Sequence, residues 1–136
     1  MKKGILFICV GNACRSIMAE VLAKHYWGDK YEVASAGISP LGRVSEGTIK
    51  VLEELEIPVE GFYSKGIQEV DPQKFHSIVN LSEYPLVALI PARYWPRIIN
   101  WYVRDPYGQS LDSYRTCRDA IEWLITEKIP TWLGDD

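Results

Sequence analysis

Cysteine and histidine are scarce in this chain, and long apolar runs are missing. Three cysteines in 136 residues, an odd number, do not make the paired framework of a small secreted domain. With only two histidines beside them, they make no zinc pattern either, because Cys9-x4-Cys14 has no second pair to complete a ligand set. No metal and no cofactor is expected. The apolar run that follows Lys2-Lys3-Gly4 is interrupted by Gly11, Asn12 and Arg15, too soon for a secretory signal or a membrane span. Excess positive charge is also missing: the formal net charge is -3 and the pI about 5.4, which argues against a nucleic-acid or polybasic membrane surface. The expected compartment is the cytoplasm, with no nucleic-acid and no membrane partner. Two nucleotide-binding signatures are missing as well, the Gly-Lys-Ser/Thr of a P-loop and the G-x-G-x-x-G of a dinucleotide fold.

What is present is a composition 47% hydrophobic and 24% charged, enough for one globular domain over residues 1–136. Lys3 to Val10 is a β-prone, nearly continuous apolar run, the pattern of a central strand buried on both faces. Arg15 to Trp27 carries Met18, Val21, Leu22, His25 and Tyr26 at helical spacing, with Gly28 as the stop. Tyr31 to Ser35 reads as a second strand ended by Ala36-Gly37, and Ser45 to Glu56 as a second helix facing inward with Thr48, Val51, Leu52 and Leu55. Asp71-Pro72 can cap a short helix. Ser77 to Leu81 is the third strand, Pro85, Pro91 and Pro96 break the next segment into pieces, and Arg97 to Val103 is the fourth strand. Ser110 caps a last helix to about Lys128, and Thr131 to Asp136 is a tail. Alternating strands and helices imply an α/β fold: a single doubly wound domain with about four parallel strands and helices on both faces.

Ligands of open α/β sheets bind at the carboxyl ends of the strands. The first strand ends in Cys9-Val10-Gly11-Asn12-Ala13-Cys14-Arg15-Ser16 and a helix starts at once. A helix N-terminus gathers backbone N–H groups and favours an anion, and Gly11 and Asn12 tolerate the backbone of a tight anion nest. Arg15 offers a planar fork for two oxygens of one phosphate. A helix N-terminus and a nearby cation also favour the thiolate, the nucleophilic form of a cysteine. Residues 10–16 are therefore the expected phosphate-binding loop, with Cys9 as nucleophile and Arg15 as clamp. A cysteine phosphatase also needs an acid for the leaving oxygen. Asp105, in Asp105-Pro106-Tyr107-Gly108 after the last predicted strand, falls at the same sheet edge, with Tyr107 as pocket wall.

At Cys9 to Ser16 (CVGNACRS), Ser35-Ala36-Gly37 and Asp105 to Gly108, the chain resembles the low-molecular-weight protein tyrosine phosphatase superfamily, which also contains the thioredoxin-coupled arsenate reductases. The resemblance implies that Asp105 is general acid and then base. It also implies that Asn12, Ser16 and Ser35 form a network holding loop and thiolate, and that Cys14 is a redox partner of Cys9. Ile17 stands where the phosphatases carry proline, and Gly61 to Lys65 lacks the histidine of many bacterial members. Val44 to Ile57 and Ser64-Lys65 look closer to the reductase branch, whose first relay cysteine is matched by Ser82.

The resulting expectation is phosphomonoester hydrolysis through a phosphocysteine, on a phosphorylated protein or a small phosphomonoester. Thioredoxin or another thiol reductant is a further candidate partner. The alternatives are arsenate reduction on the same loop, with Cys14 or an external thiol taking the next step, and a non-catalytic oxyanion-binding redox switch. Cys117, on the apolar face of the last helix, reads as core, and His25 as a boundary histidine. Tyr94, Trp95, Trp101 and Tyr102 read as core and rim packing, and Glu53, Glu54 and Glu56 as a solvated helix face.

Overall fold

The computed structural model describes residues 2–134. Its strands are β1 (Lys3–Cys9), β2 (Tyr31–Gly37), β3 (Ser77–Asn80) and β4 (Ile98–Asn100), and its α-helices are α1 (Arg15–Trp27), α2 (Glu46–Glu53), α3 (Leu111–Glu127) and α4 (Ile129–Trp132). The strands form one sheet in the order β2-β1-β3-β4, and every pairing is parallel. The α/β expectation holds, and β1 lies at the centre because its residues can be buried on both faces.

Alternation along β1 divides the core. Ile5 and Phe7 point into a cluster with Ile17, Leu22, Leu52, Ile121 and Leu124, so all four α-helices feed one side of the sheet. Leu6 and Ile8 point the other way, into a cluster with Ile78, Leu86, Ile90 and Tyr94. That face is covered by irregular chain and by 3-10 turns at Ile67–Glu69, Pro72–Lys74 and Ala92–Arg97. Asp71 caps the second of these turns by accepting from Gln73 N at 3.0 Å, and Ser110 caps α3 by accepting from Ser113 N at 3.2 Å.

Three boundaries and one buried face depart from expectation. α2 stops at Glu53, and Glu56 adopts φ of 60°, a left-handed backbone that cannot continue a helix. β4 is only Ile98–Asn100, because Arg97 still belongs to the preceding turn. The chain stays extended beyond it, with Trp101 N and Val103 N donating to Asn80 and Leu81 carbonyls at 2.9 and 3.0 Å. The supposed tail from Thr131 begins inside α4, whose Ile129 is buried, as is the Leu133 just after it; residues 135 and 136 lie outside the described residues. His25 and Tyr26 are exposed rather than inward. α1 buries nearly its whole first half, Arg15 to Ala23, and leaves the core only in its last turn. Among the described residues no helix is long and apolar enough to cross a membrane.

Candidate active site

The parallel register sets the site. β1 delivers Cys9 to the carboxyl edge of the sheet beside Gly37 of β2, and the chain turns through residues 10–14 into α1. Asn12 takes φ of 48° in that turn, a left-handed backbone that asparagine adopts more readily than most residues. Gly37 allows the turn to press against β2: a Cβ there would meet Val10 O at 2.7 Å and Asn12 N at 3.0 Å. Among the described residues, the amides of Gly11, Asn12, Ala13 and Cys14 donate to no backbone carbonyl. They are free to face an anion at the helix N-terminus.

Arg15 is 1% exposed. Its Nη1 donates to Val103 O at 2.9 Å and Leu81 O at 3.2 Å, so the chain segments after β3 and β4 hold one guanidinium between them. Glu83 Oε1 lies 3.6 Å from Nη1 and Asp105 Oδ2 lies 3.5 Å from Nη2. Both carboxylates are at long range, and the buried Nε has no hydrogen-bond partner among the described residues. A buried charge with an unpaired donor is costly, and a tetrahedral oxyanion supplies acceptors that would relieve it.

Cys9 Sγ sits 2.9 Å from Ser16 Oγ. Asn12 Nδ2 donates to Ser16 Oγ at 2.7 Å and to Ser35 Oγ at 2.9 Å, and all three polar residues are fully buried. On the opposite wall, Asp105 Oδ1 accepts from Tyr107 N at 3.0 Å, a local turn in which the buried Pro106 anchors the loop. Cys9, Gly11, Ala13, Arg15, Asp105 and Tyr107 all line one cavity of about 210 Å³, as do Val10 and Cys14. The predicted loop, acid and wall residues thus meet at one place, with Ser35 behind them. A larger cavity, about 520 Å³, lies beyond Asp105 between Trp101 and Cys117 and is lined by none of residues 9–16. Among the described residues no group of three His, Cys, Asp or Glu side chains could hold a metal ion.

Cys14 faces the same cavity, but its Sγ lies 3.7 Å from Tyr114 Oη, which in turn is 2.7 Å from Ser45 Oγ. Burial pushes the Cys14 thiol above its ordinary range, outweighing the opposite pull of its polar neighbours Thr48, Tyr114 and Ser45. Cys117 is 4% exposed, and burial pushes its thiol up to about 12. Ser82 is a buried hydroxyl that donates to Asn80 Oδ1 at 2.7 Å.

Residues 4–131 match the profile of the low molecular weight phosphotyrosine protein phosphatases. The chain belongs to that family. Within it, the similarities span two chemistries. Arsenate reductase 1 of Bacillus cereus is 35% identical over 120 residues, covering 88% of this chain and 89% of its own. A solved arsenate reductase in a phosphate-binding state superposes with a TM-score of 0.84 at 29% identity, over 95% of this chain and 98% of that one. The low molecular weight protein tyrosine phosphatase from T. tengcongensis also gives 0.84, at 26% identity over 96% and 99% of the two chains.

Three residues of this phosphatase-family site escaped the sequence reading. Glu20 and Lys65 lie behind the loop, 5% and 9% exposed, and Glu83 flanks Arg15. The available signal was in α1: a glutamate four residues after Ser16 on an otherwise apolar stretch of helix is out of place unless something pairs with it. Ser64-Lys65 stood out only as a resemblance to the reductase branch, and nothing local marked Glu83; both Lys65 and Glu83 reach the site only through the fold.

Proposed function

We propose that the protein hydrolyses phosphomonoesters in two steps through Cys9. The observation that carries this reading is the convergence of Cys9, Arg15 and Asp105 on one small cavity. Cys9 Sγ attacks phosphorus; the P–S bond forms as the ester P–O bond breaks, and Asp105 gives its proton to the departing oxygen. Arg15 and the loop amides take the charge spread over the equatorial oxygens. Water then attacks phosphorus, Asp105 accepts its proton, the P–S bond breaks, and inorganic phosphate leaves with Cys9 restored. Leu41 and Tyr107, at 50% and 48% exposure, flank the entrance where the leaving group lies. The substrate class is a phosphorylated protein or a small phosphomonoester, met in the cytoplasm by a single domain spanning residues 1–136.

Arsenate reduction is the second reading, favoured by the relatives bearing that name. It needs thiols that pass a disulfide outward from the loop. Here the relay position is Ser82, and Cys117 is buried with a thiol that resists ionisation, which supports hydrolysis instead. The test is a paired assay on the purified protein. Aryl phosphate hydrolysis is expected, lost in Cys9→Ser and nearly intact in Cys117→Ala, with arsenate as a competitive inhibitor. Efficient thioredoxin-dependent arsenate turnover, abolished by Cys117→Ala, would reverse the assignment.

A further inference from the structure

Behind the loop lies a buried ion pair that the hydrolysis steps do not use. Lys65 Nζ is 3.4 Å from Glu20 Oε1, and the two side chains are 10% and 6% exposed. The exposed Lys24 reaches the other oxygen, Glu20 Oε2, at 3.2 Å. Lys65 Nζ also donates to Tyr63 O at 3.1 Å and rests 4.7 Å from the centre of the Tyr63 ring. Two charges drawn out of water, one on α1 and one on the loop before the Ile67–Glu69 turn, are expensive, and an apolar pair of similar size is often as stable. Fold stability alone therefore does not account for the pair.

The hydrogen-bond directions do. Glu20 Oε1 is 2.6 Å from Ser35 Oγ; a carboxylate can only accept, so Ser35 spends its one proton on Glu20. Ser35 Oγ must then accept from Asn12, which presents Nδ2 at 2.9 Å. Lys65 imposes the same orientation from the other end, its backbone N donating to Asn12 Oδ1 at 2.8 Å. With its amide so turned, Asn12 also donates to Ser16 Oγ at 2.7 Å. Ser16, already accepting, has its own proton free for the sulfur 2.9 Å away. As a thiolate Cys9 can only accept, so Ser16 then donates and the chain of donors ends on the sulfur. Ser64, next to Lys65, adds a second tie, donating through Oγ to Gly11 O at 3.0 Å.

We propose that Glu20 and Lys65 are positioning residues that set the direction of the Ser35–Asn12–Ser16 chain, so that Ser16 donates to the Cys9 thiolate. Lys65 supplies the charge that keeps an acceptor-only carboxylate at Ser35 and the backbone N–H that orients Asn12. Neither residue touches the substrate. The inference rests on Cys9 as the nucleophile of the proposed hydrolysis, yet its test needs no turnover.

The test compares wild type with Glu20→Leu/Lys65→Met, which exchanges the pair for apolar bulk and leaves the Lys65 backbone N–H in place. Cys9 alkylation by iodoacetamide at pH 6 is followed by mass spectrometry, beside kcat and KM for an aryl phosphate. Expected are a folded protein, alkylation slowed about tenfold or more, the scale of one hydrogen bond to a charged group, and kcat lowered while KM changes little. Glu20→Gln, which still offers Ser35 an acceptor, is expected to keep alkylation within about threefold of wild type, again on that scale. Wild-type alkylation in the folded double variant overturns the proposal, and so does a loss in Glu20→Gln as large as in the double variant. If the double variant does not fold, Ser35→Ala decides: slowed alkylation supports the chain, and unchanged alkylation ends it. Loss of the hydrolysis reading would show instead as normal Cys9 alkylation in wild type with no aryl phosphate turnover.

Discussion

In the proposed hydrolysis Asp105 has two duties at different moments, proton donor and then proton acceptor. Before substrate arrives its carboxylate stands 3.5 Å from Arg15; with substrate bound it must give a proton to the leaving oxygen. The backbone N–H of Tyr107 holds Oδ1, leaving Oδ2 toward the cavity. Asp105→Asn keeps the shape of the loop and removes the proton. We expect it to slow substrates with poor leaving groups by about 10²–10⁴ and those with good leaving groups far less, read from kcat across a series of aryl phosphates. Cys14 presents the opposite case, a thiol whose surroundings hold its proton on. Its ordinary value is 9.0 and burial raises it, so its thiolate fraction rises with pH and is small near neutrality. If Cys14 captures an oxidised Cys9 as a disulfide, capture speeds up as pH rises toward and beyond 9. Mild peroxide should therefore give more Cys9–Cys14 disulfide, and less sulfinic Cys9, at pH 9 than at pH 7 by mass spectrometry. The same disulfide-to-sulfinic ratio at both values would remove Cys14 from that role.

Among the elements, α2 and α3 are joined by charge as well as by their apolar faces. Glu54, just past the end of α2, sits 2.7 Å from Arg115 Nη2 and 2.7 Å from Arg118 Nη1 on α3. Those guanidiniums, Arg115 first, hold the Glu54 carboxyl at about 2, below its usual 4.5. Above pH 4.5 both folded and unfolded chains carry the charge, and the pair's contribution is fully present. As pH falls from 4.5 toward 2 the unfolded chain takes up the proton first, so the contribution fades. The group is exposed and salt screens it, so the contribution is small. Glu54→Gln should therefore lower Tm slightly at pH 7, and the gap should close as pH falls below 4.5 and narrow in high salt. Glu53, Glu54 and Glu56 are all exposed, as the sequence suggested; that Glu54 is also ion-paired was not legible, because helical spacing within α2 says nothing about what α3 brings opposite it.

Across the whole molecule, the sheet order β2-β1-β3-β4 converts separation in sequence into adjacency. Arg15 from the first loop reaches carbonyls of residues 81 and 103 because β3 and β4 follow β1 outward in parallel and end at the same edge. The layers are asymmetric for a related reason: the α-helices gather over Ile5 and Phe7, while the proline-broken stretch between β3 and β4 can only cover Leu6 and Ile8 with short turns. Proline removes backbone donors and resists helix interiors, so that asymmetry was foreshadowed by Pro85, Pro91 and Pro96. The helical nature of residues 129–132 was not, since four residues are too few to show a period.

The sequence by itself determined the strand–helix order, the turn from Cys9 to Ser16, the placement of Asp105 at the same sheet edge and the buried placement of Cys117. Each of these is a local property: a cysteine, a tight turn and an arginine lie within eight consecutive residues, and burial follows from spacing along one helix. Only the tertiary structure decided that Glu20 and Lys65 meet behind the loop, that Glu83 comes beside Arg15, and that Tyr114 lies against Cys14. Those contacts join residues 45, 68 and 100 positions apart. They exist because parallel strands and the helices over them bring distant residues to one edge, and no periodicity along the chain records which residues will meet there.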